Sequence, residues 1–208
     1  MILLDKNPGL RPIDIGEILR RIAGKVVVSH LREDIISSVG SLQVCAGHES
    51  GCESIVHAMR NVFEDEESEA ILLVDASNAF NSVNRNTFLH NIAIICPPFE
   101  IYVKNCYRMP SRLFILGGGE ISSSEGTTQG DPTAMAIYAI AIIPLILMLV
   151  EVASQVSHTT KIAAYADDLT VSGKISNLRH WWDTLISLRP TIGYFPEAEK
   201  SWLIIKED

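Results

Sequence analysis

The chain has 208 residues, of which 47% are hydrophobic and 20% are charged. These values exclude a disordered protein and allow one domain, or two packed subdomains, to bury a core. The net charge of −8 argues against a phosphate backbone as the main partner, because nucleic-acid binding relies on Lys and Arg. Part of this charge lies in the acidic run at residues 64–69, which is typical of a solvated loop. Four cysteines without close pairing, and no charged-then-apolar leader, favour an intracellular protein over a secreted one.

Two capping signals predict the first helices. Asp14 with Glu17 three residues on predicts a helix start, and apolar residues follow on one helical face: Ile15, Ile18, Leu19, Ile22 and Val26. Ser50 with Glu53 repeats the pattern and predicts a second helix over residues 50–63.

The middle of the chain predicts a strand, a short helix and a hairpin. The apolar run Ala70–Val74 has the length of a strand and ends on Asp75, where the chain turns. Pro97-Pro98 ends one predicted helix, and a short helix is expected over residues 102–106. The segment 113–119 predicts a hairpin, and its glycine run lacks the Lys-Ser/Thr of a phosphate loop.

An uncharged apolar run covers residues 134–150. It lies at the short limit for crossing a bilayer, contains Pro144, and has acidic rather than basic flanks in Asp131 and Glu151. A core helix fits these features better, with a membrane span as the alternative.

Two adjacent carboxylates, Asp167 and Asp168, lie between strand-like runs at residues 161–164 and 169–171. A solvated turn is one interpretation of this pair. If the strand that ends at Asp75 lies beside this hairpin in an antiparallel sheet, all three carboxylates converge. Clustered carboxylates need divalent cations, and two Mg²⁺ ions can activate an attacking hydroxyl and stabilise a leaving pyrophosphate. The sequence therefore predicts nucleotidyl-transfer chemistry.

The motifs around these acids follow the order of a known family. They are Arg11-Pro12-Ile13 with Gly24-Lys25, residues 43–60, residues 73–83 around Asp75, residues 125–132, Tyr165-Ala166-Asp167-Asp168, and residues 193–203. Together they resemble the fingers and palm of a reverse transcriptase, nearest to those of non-LTR retrotransposons and group II introns. The resemblance implies an α+β fold, with an antiparallel palm sheet backed by helices and a partial fingers subdomain.

The resemblance also implies a role for each matching residue. Asp75, Asp167 and Asp168 would hold two Mg²⁺ or Mn²⁺ ions. Five further residues would bind the nucleotide. Phe80 would lie beneath the sugar, and Gln129 and Gly130 would lie against the base pair. Arg11 and Lys25 would bind phosphates. Lys200 is the candidate general acid for the leaving pyrophosphate. The implied partners are an RNA template, a DNA or RNA primer and deoxynucleoside triphosphates, with no membrane.

The same resemblance divides the chain into fingers at residues 1–69 and palm at residues 70–208, with fingers elements interleaved near residues 97–124. No thumb is expected within this sequence. The implied function is RNA-directed DNA polymerase activity.

Three alternatives stay open. In the first, the chain is a catalytically inactive retroelement-derived fragment or nucleic-acid-binding remnant. In the second, it is a palm-fold enzyme with another substrate, such as a nucleotide cyclase. A zinc site made of Cys45, His48, Cys52 and His57 is the third, although their spacing matches no common zinc motif.

Overall fold

The computed structural model describes residues 2–5, 10–13, 16–157 and 159–207. Helices and antiparallel strands are mixed along the chain, which confirms the predicted α+β class. The described helices are α1 Ile18–His30, α2 Arg32–Val39, α3 Gly51–Glu64, α4 Ala79–Ser82, α5 Arg85–Ile95, α6 Pro97–Tyr107, α7 Ala134–Ala141, α8 Ile143–Val156 and α9 Ile175–Ile192. The described strands are β1 Ile2–Asp5, β2 Leu10–Ile13, β3 Ala70–Val74, β4 Ser111–Phe114, β5 Glu120–Ser123, β6 Lys161–Tyr165, β7 Asp168–Gly173 and β8 Trp202–Ile205.

The central feature is a four-stranded antiparallel sheet with the order β6-β7-β3-β8. A tight turn joins β6 to β7, with Tyr165 paired to Asp168 across it. Val74, the last residue of β3, lies opposite Leu169 on β7. The strand that leads to Asp75 is therefore the neighbour of the Asp167-Asp168 hairpin, as the sequence predicts. The remaining strands form two separate hairpins, β1-β2 and β4-β5, the second of which is also predicted.

Helices pack against this sheet and bury most of the large side chains. Residues of β3, β6 and β7 belong to the same buried cluster as the helices α5 to α9. Its largest fully buried side chains include Trp181, Tyr107, Tyr138, Tyr194, Phe88 and Phe99. Burial of a Phe-sized side chain stabilises a fold by about 1.5–3 kcal/mol, so this cluster is the main source of stability.

The apolar run at residues 134–150 lies in this core. One helical stretch of the described residues, Ala134–Gln155, is long and apolar enough to cross a membrane, and 61% of its most apolar window is buried inside the protein. The mostly buried core helix of a soluble protein meets the same criteria of length and composition. The structure divides it into α7 and α8 at Ile142, because Pro144, the second residue of α8, has no N–H to continue the hydrogen bonds of the first helix.

The predicted apolar face of the first helix is not its packed face. Asp14 and Ile15 lie outside the described residues, and Glu17 is the residue that precedes α1. The other four residues of the predicted face are exposed: Ile18, Leu19, Ile22 and Val26. Gly24 packs instead, because the side chains of Tyr102 and Thr133 come within about 3 Å of where a Cβ would lie. Helical periodicity thus predicts the presence of the helix, but not the face by which it packs against the rest of the protein.

The predicted capping box at Ser50 does not form. Ser50 precedes α3 with a left-handed φ of 51° and makes no side-chain capping hydrogen bond. The next residue, Gly51, allows this turn, since a Cβ there would lie 2.4 Å from the carbonyl oxygen of Val44. Close packing of Gly51 on residue 44 thus determines the start of α3, and the hydroxyl of Ser50 does not.

Candidate active site

One cavity of about 440 Å³ brings together three separate parts of the chain. Its lining comes from the segment after β3, the segment that leads into α7, and the tip of the β6–β7 hairpin. Five of the residues predicted from sequence lie in this lining, namely Asp75, Phe80, Gln129, Gly130 and Asp167. A cavity of similar size between α9 and β8 is lined mainly by apolar side chains and contains none of them.

The tip of the hairpin is held by a buried glutamine. Ala166 precedes Asp167 and has a left-handed φ of 54°, a conformation that is uncommon for a residue with a Cβ. The side chain of Gln43, which is 0% exposed, donates from Nε2 to the Ala166 carbonyl oxygen at 2.9 Å. Its Oε1 accepts from the Ala166 N–H at 2.8 Å. Both polar groups of this buried turn residue therefore have partners, and Gln43 fixes the turn that presents Asp167.

The segment that follows α9 holds the main chain of both cavity carboxylates. The Tyr194 hydroxyl donates to the Asp167 carbonyl oxygen at 2.7 Å. The N–H of Asp75 donates to Ser201 Oγ at 3.3 Å, and the Glu197 N–H donates to the Asp75 carbonyl oxygen at 2.9 Å. These contacts connect β3 and the hairpin tip through one stretch of chain, so the separation of the two carboxylates is determined by the fold.

The third predicted carboxylate differs from the other two. Asp168 begins β7, is exposed, and does not line the cavity. Desolvation raises the pKa of its carboxyl, and the negative charges of Asp167 and Asp75 raise it further. In the described part of the chain, no three His, Cys, Asp or Glu side chains are grouped so that they could hold one metal ion. The structure thus brings two of the three predicted metal-binding carboxylates to the cavity, with the third close enough to repel them. Asp131 also lines the cavity, but its carboxylate is paired with Arg20.

Two carboxylates beside a solvent-accessible cavity fit a divalent cation. Mg²⁺ in such sites is bound by one or two carboxylates and completes its shell with water and substrate phosphates. Asp75 and Asp167 supply such a donor set, and the cavity beside them has room for a phosphate-bearing ligand.

Phe80 forms part of the cavity wall, and both its ring and its backbone are held. Its ring stacks on that of Tyr138, with the ring centroids 4.6 Å apart and the planes 27° apart. The Phe80 carbonyl oxygen accepts hydrogen bonds from the Thr127 N–H at 2.6 Å and from Thr127 Oγ1 at 3.1 Å. The aromatic ring is therefore placed at the cavity by α7 on one side and by the loop before α7 on the other.

A buried arginine organises the loop that leads to Gln129. The guanidinium of Arg85 donates to the carbonyl oxygens of Ser123 at 2.7 Å, Glu125 at 2.9 Å and Gly126 at 2.9 Å. Gly126 has a φ of 66°, and a Cβ there would lie 2.3 Å from the carbonyl oxygen of Asn81. Only glycine fits at that position, so the loop approaches α4 closely and brings Gln129 and Gly130 to the cavity.

Asp131 connects this loop to the first part of the chain. Its Oδ2 accepts from the Tyr107 hydroxyl at 2.8 Å and from the Arg20 guanidinium at 2.9 Å. Its Oδ1 accepts from the Thr133 N–H at 2.8 Å and from Thr133 Oγ1 at 2.6 Å. Burial alone would raise the pKa of the Asp131 carboxyl, but these hydrogen bonds and the charge of Arg20 outweigh it and lower the pKa.

The sequence predicts a different role for Asp131, as the cap of the helix with Pro132 at its first position. In the structure α7 begins at Ala134 and Thr133 is its N-terminal flanking residue. Asp131 instead closes a turn before the helix, because its carboxylate has stronger partners in Arg20 and Tyr107.

Two further predicted residues, Lys25 and Lys200, are described by the structure and do not line the cavity. Arg11 lies in β2, and its side chain is outside the described residues. Lys25 is exposed on α1. Lys200 forms an ion pair with Glu197, and this hydrogen bond, with a smaller contribution from the charge of Asp75, raises the pKa of the Lys200 ammonium. Lys200 is thus protonated and close enough to Asp75 to interact with it, whereas Lys25 has no contact with the cavity.

The residues of the zinc alternative do not form a site. Cys45 is largely buried, and burial raises the pKa of its thiol to about 12. His48 is hydrogen-bonded through Nε2 to the Gly40 carbonyl oxygen at 3.0 Å. Cys52 is exposed on α3, and within the described part of the chain the four side chains are not grouped so that they could hold a metal ion.

Comparison with known proteins identifies the family. The family model described as "Reverse transcriptase (RNA-dependent DNA polymerase)" matches residues 4–188. The chain belongs to the reverse transcriptase family. No curated protein matches it at a significant level. The finer assignment to non-LTR and group II intron enzymes stays a prediction.

Solved structures show the same fold at low sequence identity. Apo telomerase from Candida tropicalis is similar with a TM-score of 0.64 and 12% identity, over 91% of this chain and 37% of that one. The same protein truncated from the C-terminal domain has a TM-score of 0.62 and 13% identity, over 91% of this chain and 40% of that one. Telomerase from Candida albicans, in complex with a fragment of telomeric RNA, has a TM-score of 0.59 and 12% identity, over 91% and 36%. This reverse transcriptase chain thus spans well under half the length of the telomerases that it resembles in fold.

Several residues that shape the reverse transcriptase site escape sequence reasoning. Tyr138, Tyr194 and Arg85 read as ordinary core or surface residues, because only tertiary contacts reveal their partners. Gln43 lies in the quoted fingers motif, but its spacing gives no sign that it contacts Ala166, far along the chain. A polar side chain in an otherwise apolar stretch is the available signal, and it is present at Gln43 and Tyr138 alike.

Proposed function

We propose that this chain is the catalytic core of an RNA-directed DNA polymerase that adds deoxynucleotides to a primer 3′-hydroxyl. The observation that carries this proposal is the meeting of Asp75, Asp167, Phe80 and Gln129 in one cavity, on a chain of the reverse transcriptase family. The proposed partners are an RNA template, a DNA or RNA primer and deoxynucleoside triphosphates.

Asp75 and Asp167 are the residues that would hold divalent cations, Mg²⁺ or Mn²⁺, with Asp168 beside them. Family membership implies dependence on divalent metal ions. Two bound cations supply the positive charge that activates the primer hydroxyl and stabilises the leaving pyrophosphate. The contribution of the protein is to fix both residues from the main chain. Gln43 and Tyr194 hold the turn at Asp167, and Ser201 and the Glu197 N–H hold Asp75.

The other cavity residues position the nucleotide. The Phe80 ring lies beneath the incoming sugar, where a 2′-hydroxyl would clash with it, so deoxynucleotides are selected. Gln129 and Gly130 contact the nascent base pair from a loop that Arg85 and Asp131 hold in place. Lys200, kept protonated by Glu197, is the proposed donor of a proton to the departing pyrophosphate.

The proposed division of the chain into fingers and palm assigns the whole four-stranded sheet to the palm. Residues 1–69 form the partial fingers and residues 70–208 the palm, which contains the four-stranded sheet and both cavity carboxylates. The hairpin β4-β5 lies in the stretch where fingers elements are expected to interleave.

Primer extension tests this function. The purified chain is incubated with an RNA template, an annealed primer, deoxynucleoside triphosphates and Mg²⁺ or Mn²⁺, next to Asp75→Ala and Asp167→Ala. We expect extension by the unmodified chain and none above background by either variant, because each removes a proposed metal ligand. Asp183→Ala is the matched control, since Asp183 is an exposed carboxylate on α9, outside the cavity, that forms an ion pair with Arg179 one turn earlier.

Three results would contradict the proposal. Equal extension by Asp75→Ala, Asp167→Ala and the unmodified chain would show that these carboxylates are not catalytic. Failure of the unmodified chain, and of any longer natural polypeptide that contains it, to incorporate nucleotides would favour an inactive nucleic-acid-binding remnant. Incorporation that needs no added template would favour a palm-fold enzyme with another substrate.

A further inference from the structure

The cavity face of Phe80 depends on a ring that is itself completely enclosed. Phe80 is half-buried at the cavity, and the ring behind it belongs to Tyr138, which is 1% exposed in the middle of α7. The two rings are stacked, with centroids 4.6 Å apart. Because protein interiors are close-packed, a side chain backed by a fixed ring has little freedom to move away from the cavity.

The backbone of Phe80 is fixed independently of this stack. Its carbonyl oxygen accepts two hydrogen bonds from Thr127, and it lies on α4, whose preceding residue Asn78 has a left-handed φ of 48°. With the main chain held, the position of the ring depends on its side-chain torsions alone. The stack on Tyr138 restricts those torsions.

The hydroxyl of Tyr138 does not explain why a tyrosine lies here. Its oxygen is buried and has no hydrogen-bond partner among the described residues. A buried hydroxyl without a partner is unfavourable, so what Tyr138 contributes to the site is its flat ring. The two contributions can be distinguished, because Tyr138→Phe removes the hydroxyl and keeps the ring, whereas Tyr138→Leu removes both.

We infer that Tyr138 is a positioning residue for sugar selection, which sets the discrimination between deoxynucleotides and ribonucleotides by holding the Phe80 ring against the cavity. The inference rests on the proposed polymerase function. Loss of the Tyr138 ring opens space behind Phe80, whose ring then tips out of the cavity and leaves room for a 2′-hydroxyl.

The test measures the ratio of deoxynucleotide to ribonucleotide incorporation on one RNA template. Tyr138→Leu should lower this ratio by about tenfold or more, the order expected when one hydrophobic contact in a substrate pocket changes. Tyr138→Met is a second variant that better preserves the volume of the core while removing the flat ring. Tyr138→Phe keeps the stack and loses only the hydroxyl, so it should keep the ratio of the unmodified chain.

Two controls separate sugar selection from stability. Ile140→Ala creates a cavity at a fully buried position of the same helix, two residues on and on a different face, and should leave the ratio unchanged. The ratio is measured within one preparation, so a loss of folded protein lowers both incorporations equally. Phe80→Ala should lower the ratio by itself, and Tyr138→Leu should then add little, because both act through the same ring.

The inference is overturned if Tyr138→Leu or Tyr138→Met makes DNA with the ratio of the unmodified chain, or if Ile140→Ala shifts the ratio as much as they do. Absence of DNA synthesis by the unmodified chain would instead overturn the proposed polymerase function, and the inference with it. The two failures are therefore distinguished by the unmodified chain alone.

Discussion

Replacement of Gln43 tests how the hairpin that carries Asp167 is held. In Gln43→Leu the Ala166 N–H and carbonyl, in a residue that is 5% exposed, lose partners at 2.8 and 2.9 Å. An unsatisfied buried polar group costs about 1–3 kcal/mol, so the two together should lower the free energy of unfolding by about 2–6 kcal/mol. For a chain of this size the melting temperature should then fall by roughly 4–24 °C.

The same variant should also weaken metal use. Residues that orient metal ligands typically change metal affinity by about 10–100-fold, so the Mn²⁺ concentration for half-maximal incorporation should rise by that order. The assays are thermal unfolding and a Mn²⁺ titration of primer extension on the same preparation.

Ser172→Ala is the matched control for Gln43→Leu. Ser172 is also fully buried and hydrogen-bonded, to the Ala70 carbonyl oxygen at 3.1 Å and to Ser68 Oγ at 2.8 Å, but at the other end of β7. It should lower stability without changing the Mn²⁺ requirement. The reasoning is refuted if Gln43→Leu melts like the unmodified chain, or if both variants change the Mn²⁺ requirement equally.

Three further predictions concern charged groups. Arg85→Lys should lower the melting temperature, because a lysine cannot reproduce the several carbonyl contacts of a buried guanidinium. Its control is Arg179→Lys, at an exposed position, which should change the free energy of unfolding by less than about 1 kcal/mol. The pKa of Asp131 is lowered on folding, so its stabilising contribution is present above the ordinary pKa of 3.8 and is lost as pH falls through the folded value. Denaturant unfolding at neutral and acid pH should therefore show a smaller acid loss for Asp131→Asn, and an unchanged pH profile would contradict this. Partial desolvation and the charges of Asp167 and Asp75 raise the pKa of the Asp168 carboxyl. Asp168→Asn should therefore increase the free energy of unfolding at neutral pH without metal. A decrease would show that the repulsion is absent.

The carboxylate positions are the part of the site that sequence predicts best. A short apolar run that ends on Asp75, and two runs that flank Asp167 and Asp168, have the length of strands, and antiparallel pairing places their ends together. Local pattern is sufficient here because strand length and turn position leave few other arrangements.

Other features depend on contacts between distant residues, which a pattern does not contain. Asp131 resembles a helix cap in sequence, yet Arg20 and Tyr107 bind its carboxylate from elements far along the chain. The apolar face of α1 is exposed because Gly24, with no side chain, allows closer packing than the larger residues beside it. The helix α9 has no counterpart among the sequence predictions, although its buried residues Leu178, Trp181, Leu185 and Ile192 follow helical spacing.

The most direct test of the central proposal is a single-nucleotide incorporation assay on RNA templates that differ at one base. With Mg²⁺ or Mn²⁺, the purified chain should add the deoxynucleotide complementary to the template base, and the added base should change when the template base changes. Incorporation that ignores the template base, or that persists in Asp75→Ala, would contradict RNA-directed synthesis at this site.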